Sequence, residues 1–282
     1  MDKRINPFRA DLAAEHLRGK VSARAFASPE IFTVRDGVAP LLRDPRPDAM
    51  RDSELLFGED FAVYDTDMEG WCWGQSLRDS YVGYIAKDAL GPKSRPTHRV
   101  TAVRTFVYPV PNIKAPPIMA LSFGSLLACH PDEQNHTAAN PDFLRLSNGF
   151  YIWATHAAPL DASAPDFVAI AEQFIGTPYL WGGRSSLGLD CSALVQLSLQ
   201  ASGHLAPRDS DMQERELGTP INGPFQRGDL VFWKGHVGIM QSETQLLHAN
   251  GYTMSVYSEP LETARARIMA KGGGDVTSLK WL

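Results

Sequence analysis

The chain has 282 residues, 44% of them hydrophobic, and 32 acidic against 27 basic side chains give a net charge of −5. That length allows two or three domains with buried cores, and no block of Lys or Arg points to nucleic acid as a partner. The longest near-apolar run, IMALSFGSLLAC at 118–129, is broken by Gly and Ser and is too short to span a bilayer.

The first residues, MDKRINPFRADLAAEH, are basic but lack an apolar h-region. No secretory signal is expected, and the reading is a soluble, cytoplasmic protein with no membrane partner. Residues 1–32 read as a helical lead-in, with helix formers from Asp11 and a stop at Gly19. The chain then turns β-like and repeats itself at an offset of 66: Val34 meets Val100, Pro45 meets Pro111, Leu55 meets Leu121, Phe57-Gly58 meets Phe123-Gly124, and Gly83 meets Gly149. Short strands with frequent turns read as small barrels. Two SH3-like barrels are expected, at 33–95 and 96–158, the second assumed to be a spacer.

APLDASAPD at 158–166 marks a junction. A helix is expected from about Pro165 to Gly176, and another from Cys191 to about Ser202, closed by Gly203. Strands follow at GDLVFW (228–233), HVGIMQS (236–242), LLHANG (246–251) and SVYSEPL (255–261). Helices first and strands later make 159–282 an α+β domain.

The three cysteines, Cys72, Cys129 and Cys191, are far apart and form no CxxC pair. Neither a disulfide framework nor a cysteine-rich zinc site is expected. Cys72 in WCWGQ and Cys129 in SLLACHP read as small buried hydrophobes. Cys191 differs: it follows the Gly- and Ser-rich stretch GTPYLWGGRSSLGLD and opens a helix that Asp190 can cap. A thiol in a first helical turn has its thiolate favoured by the helix dipole, but it still needs a base. Of eight histidines, His16, His98, His136 and His156 fall in loops or surface helix, while His130 and His204 sit at element ends. His236 and His248 stand on strands close enough in sequence to form a hairpin. Three readings stay open from spacing alone: a Cys-His-His catalytic set, two β-sheet histidines without chemistry, and zinc bound by Cys191, His236 and His248.

GTPYLWGGRSSLGLDCSALV, RDSDMQ (208–213), GDLVFW, GHVGIM and LLHANG stand together in this order, and the chain thereby resembles the NlpC family of cysteine peptidases. The resemblance implies a papain-like domain with Cys191 as nucleophile, His236 as base, His248 as the third polar residue and Tyr179 near the oxyanion site, needing no cofactor and no metal. Two bacterial SH3-like barrels before such a domain resemble the γ-D-glutamyl-L-diamino acid endopeptidases of murein recycling. The implied substrate is a murein peptide, L-Ala-γ-D-Glu-diamino acid, with a free N-terminal amine, the diamino acid being diaminopimelate or Lys. In that group the first barrel closes one end of the cleft. The resemblance places Asp190, Tyr81 and an acid near residue 50 at the amine. Asp52 is the acid closest to that position, which Met50 occupies. Trp181 lines the same pocket, and Ser192 and Ser210 lie beside the D-Glu unit. Arg208 would suit the D-Glu α-carboxylate, because a fork of donors matches it; Arg184 reads as a solvated loop residue. Amidase or acyl-transfer activity on the same fold, or a non-catalytic module binding cell-wall fragments, are the rival readings.

Overall fold

The computed structural model describes residues 1–130 and 141–282; His136 lies outside them. Two compact units are present, Met1–Ala162 and Ser163–Leu282.

The first unit is β-rich. A seven-stranded antiparallel sheet runs, in spatial order, through Arg51–Leu56, Val38–Leu42, Val82–Ala86, Trp71–Ser76, Asp60–Thr66, Glu30–Val34 and Leu90–Gly91. Its core holds Val34, Leu41, Leu55, Phe61, Tyr81 and Ile85, each such side chain stabilising the fold by roughly 1.5–3 kcal/mol through burial. A second module pairs a four-stranded sheet (Met119–Ser122, Arg104–Tyr108, Tyr151–Trp153, Phe143–Arg145) with a three-stranded one (Leu126–Leu127, His98–Val100, Ala157–Pro159).

The 66-residue offset reappears in the backbone hydrogen bonds. Gly58 N–H donates to Val34 O and Gly124 N–H to Val100 O, both at 2.9 Å. Val34 N–H donates to Glu59 O at 2.9 Å, and Val100 N–H to Ser125 O at 2.8 Å. Both LxFG turns need a left-handed glycine, with φ of 83° at Gly58 and 86° at Gly124. The last pair in the repeat is not equivalent: Gly83 lies inside a strand, whereas Gly149 is in a turn at φ 88°.

The expected helical lead-in is absent from 1–32. Leu12–Ala14 and Ala25–Ala27 form a parallel strand pair, separated by a single 3₁₀ turn at Glu15–Leu17. Ala13 and Ala14 are fully buried, and Arg9 anchors the segment to Asp65 and Tyr84 while lying over the Trp73 ring. Tertiary contact overrides the helix propensity of a short segment.

The second unit places four helices about a six-stranded antiparallel sheet. Helix α1 spans Phe167–Glu172, α2 Cys191–Ala201, α3 Ser210–Glu216 and α4 Leu261–Ala270. Helix α1 is shorter than the apolar spacing predicts, because Asp166 caps it through Val168 and Ala169 and the chain leaves the helix before Gly176, which sits at φ 87°. The sheet order is Thr219–Pro220, Ser278–Trp281, Leu230–Trp233, His236–Met240, Gln245–Asn250 and Ser255–Pro260. Every residue of α2 is buried, so this helix is fixed on all sides. Among the described residues no helix is long and apolar enough to cross a membrane.

Candidate active site

Helix α2 starts at Cys191 because Asp190 stops the extended chain there. Asp190 has φ −93° and ψ 176°, and its Oδ1 accepts the Ala193 N–H at 2.8 Å, a cap worth about 1 kcal/mol. Arg208 grips the same carboxylate with both terminal nitrogens, at 2.9 and 2.6 Å. The Gly182 N–H and the Ser192 hydroxyl also donate to it. Five hydrogen bonds thus converge on one carboxylate.

Arg208 is 1% exposed, and its guanidinium also reaches Ser192 Oγ and Gly183 O. The fork expected to hold a substrate carboxylate thus holds Asp190. Arg184, expected to be solvated, is buried, with Nε donating to Gln196 Oε1 at 2.8 Å. Its short hairpin, Arg184–Ser185 against Gly188–Leu189, packs onto α2.

Cys191 is 8% exposed. Burial, then the charge of Asp190, pushes its thiol up to about 12, while the Val237 and Ser192 backbone N–H groups and Arg208 pull it back. The contact with Val237 puts the thiol beside the start of the His236 strand. That strand is reached by a two-residue turn, Lys234-Gly235, with Gly235 at φ 74° and Trp233 opposite His236.

His236 Nε2 and His248 Nδ1 lie 2.8 Å apart, and His248 Nε2 lies 2.9 Å from Glu259 Oε1. Strand register explains the alignment. His248 is paired with Tyr257, so Glu259, two residues on, projects from the same face. Extending the Ile239–Leu247 pairing by one residue puts Gly238 opposite His248; a Cβ at Gly238 would lie 3.3 Å from His248 Cβ. Arg267 of α4 clamps Glu259 with both terminal nitrogens, one at 2.6 Å from Oε2.

The carboxylate fixes the tautomers. Burial alone would raise the Glu259 carboxyl, but hydrogen bonds from Arg267 and His248 outweigh it and hold it at about 2. An ionised Glu259 only accepts, so His248 carries its proton on Nε2. His248 Nδ1 then accepts from His236 Nε2–H, and His236 Nδ1 is left as a bare lone pair. Burial, with the positive charge of Arg267 behind it, pushes His236 down to about 3, against the pull of Glu259. Thiol and imidazole therefore rest neutral, with His236 as a base. The two histidine nitrogens that face each other are spent on one another, which disfavours a shared zinc; among the described residues no group of three or more His, Cys, Asp or Glu could hold a metal.

Tyr179 is close enough to this centre that, after burial, the charges of Cys191 and Asp190 raise its phenol. Ser192 is buried on Arg208, Ser210 opens α3, and Trp181 is 61% exposed. Tyr81 and Asp52 belong to the first unit, where Tyr81 is in the barrel core and Asp52 is paired with Arg43 at 2.6 Å. Sequence reasoning missed Glu259, Arg267 and Gln213. The last is buried and joins α3 to the catalytic helix, donating to Ser192 O and Pro207 O at 2.8 Å. The Glu259 signal was present only as alternation along SVYSEP, which carries meaning once its register against His248 is known.

Comparison with known proteins matches residues 41–90 to the bacterial dipeptidyl-peptidase SH3 domain and residues 176–269 to the NlpC/P60 family. Residues 176–269 belong to the NlpC/P60 family. The chain is 37% identical over 101 residues to dipeptidyl-peptidase 6 of Lysinibacillus sphaericus, covering 34% of this chain and 36% of that one. It is 31% identical over 129 residues to a γ-D-glutamyl-L-lysine dipeptidyl-peptidase of Bacillus cereus, covering 43% and 38%. The chain thus spans little more than a third of the length of these two relatives. A γ-D-glutamyl-L-lysine dipeptidyl-peptidase of Bacillus subtilis is 27% identical over 77% of this chain and 79% of its own. The crystal structure of an NlpC/P60 family protein from Bacillus cereus ATCC 10987 shares the fold, with a TM-score of 0.72 at 19% identity over 89% of this chain and 99% of that one.

Proposed function

We propose that this NlpC/P60 domain is a cysteine peptidase that hydrolyses the γ-D-Glu to L-diamino acid bond of murein peptides with a free N-terminal L-Ala. The observation that carries the chemistry is the run from Cys191 past Val237 to His236, His248, Glu259 and Arg267, which supplies a nucleophile and an oriented base. The γ-glutamyl substrate class is supported by the names of the two Bacillus relatives.

In the proposed reaction His236 Nδ1 takes the Cys191 proton as sulfur attacks the γ-carbonyl carbon. The oxyanion lies at the first turn of α2, near the Cys191 N–H and Tyr179. The His236 imidazolium is stabilised through His248 by Glu259 and returns its proton to the leaving amine as the C–N bond breaks. Water, deprotonated by His236, then cleaves the thioester and restores the thiol. The proposed setting is cytoplasmic recycling of free stem peptides.

The test is incubation of L-Ala-γ-D-Glu-meso-diaminopimelate with the purified protein and mass spectrometry of the products, with the N-acetylated peptide and Cys191→Ala alongside. Release of L-Ala-γ-D-Glu from the free peptide only, lost in the variant, is expected. Equal cleavage of the acetylated peptide removes the amine requirement and favours a broader amidase. Cleavage of neither removes the peptidase reading.

A further inference from the structure

The sequence leaves open which diamino acid departs. This inference rests on the peptidase reading, because it concerns the residue whose amine His236 protonates. That residue must lie within hydrogen-bond reach of His236 and beyond it from Cys191. A cavity of about 330 Å³ is lined by His236, together with His248, Asn250, Lys234, Tyr252 and Lys271. Its size is at the lower end of small-molecule pockets, which run from about 300 to 1,000 Å³.

The wall is one-signed. Among the described residues no Asp or Glu lines it. Arg267 also reaches the wall, but both its terminal nitrogens are committed to Glu259. Lys234 and Lys271 are exposed at the rim, and Lys271 lies 4.7 Å from the centre of the Tyr252 ring. Asn250 is 6% exposed; its Oδ1 accepts from Tyr252 N, Thr253 N and Thr253 Oγ1. Its Nδ2 is buried and has no hydrogen-bond partner among the described residues.

Positive charge at the wall, with no acid beside it, favours a carboxylate and opposes an ammonium. We propose that this cavity is the leaving-residue subsite, and that Lys234 and Lys271 make it selective for a diamino acid with a carboxylate on its side chain, such as diaminopimelate, over one whose side chain ends in an ammonium alone, such as lysine. Two rim lysines acting at the surface support a preference on the order of tenfold in kcat/KM.

The experiment compares kcat/KM for L-Ala-γ-D-Glu-meso-diaminopimelate and L-Ala-γ-D-Glu-L-Lys in the full chain, in Lys271→Glu and in Lys234→Glu/Lys271→Glu. Binding of both peptides to Cys191→Ala is measured by calorimetry. The diaminopimelate peptide should be preferred about tenfold in turnover and binding, and the double variant should lose that preference or reverse it. Equal handling of the two peptides, or a preference that survives the double variant, overturns the subsite. Absence of turnover removes the peptidase reading, and the binding comparison then decides the cavity by itself.

Discussion

Replacing Asp190 by Asn tests the centre of the site, because one carboxylate there serves as helix cap, as partner of a buried guanidinium and as a charge beside the nucleophile. The substitution keeps the shape and removes the charge. Arg208, 1% exposed and bonded to both carboxylate oxygens, then loses that charged partner. Breaking such a pair from one side costs about 3–5 kcal/mol, a large part of the roughly 5–15 kcal/mol that holds a domain folded. Asn still caps the helix, so little of the loss comes from Ala193. Urea unfolding followed by tryptophan fluorescence measures the effect. A double variant, Asp190→Asn with Arg208→Met, should recover most of the loss, since the buried charge is gone with its partner. The same change should lower the Cys191 thiol pKa, because the charge of Asp190 helps to hold it up; the pH dependence of iodoacetamide alkylation reads that directly. Stability of Asp190→Asn within about 1 kcal/mol of the parent would refute the buried-pair reasoning, and an unmoved alkylation profile would refute the electrostatic one.

Glu259→Gln should lower kcat about tenfold, as one lost charge-assisted contact of about 1.4 kcal/mol would. It should also move the acid limb of the kcat/KM profile to lower pH, because Glu259 pulls the His236 pKa upward; an unmoved limb would place Glu259 outside the relay. The catalytic unit should lose stability as pH falls from about 6.5, the ordinary histidine value, toward about 3, since His236 takes up its proton more readily unfolded than folded. Denaturant midpoints across that range should flatten in His236→Phe. Gly238→Ala should destabilise the unit by about 1–3 kcal/mol and slow turnover, because the new Cβ would sit 2.7 Å from Leu246 Cδ1 and press on His248; parental kcat would show that His248 tolerates the shift. Gly58→Ala should unfold the first unit at lower temperature, since φ is 83° and the Cβ would meet Leu126 O at 2.0 Å, and differential calorimetry would register no change if the turn were free to open.

The sequence by itself determined the local parts. Asp190 before an apolar run is a cap, and α2 begins at Cys191 for that reason. The strands that carry His236 and His248 are close enough in sequence to form a hairpin, and they pair directly, Ile239 with Leu247. The repeated Val, Leu and Phe-Gly positions encode two copies of one turn, whose hydrogen bonds recur at the same 66-residue offset. All of these depend on neighbours a few residues away or on a fixed periodicity. Tertiary structure decided what depends on partners distant in sequence. Ala13 and Ala14 chose a buried strand over a helix because of what packs on them. Arg208 turned to Asp190, 18 residues before it, since a guanidinium that is buried must find a carboxylate. Glu259 became the far end of the histidine relay through strand register alone, and Arg267 reached it from a helix that no capping signal announced. Register and burial are set by the whole sheet closing over α2, and no single stretch of chain carries them.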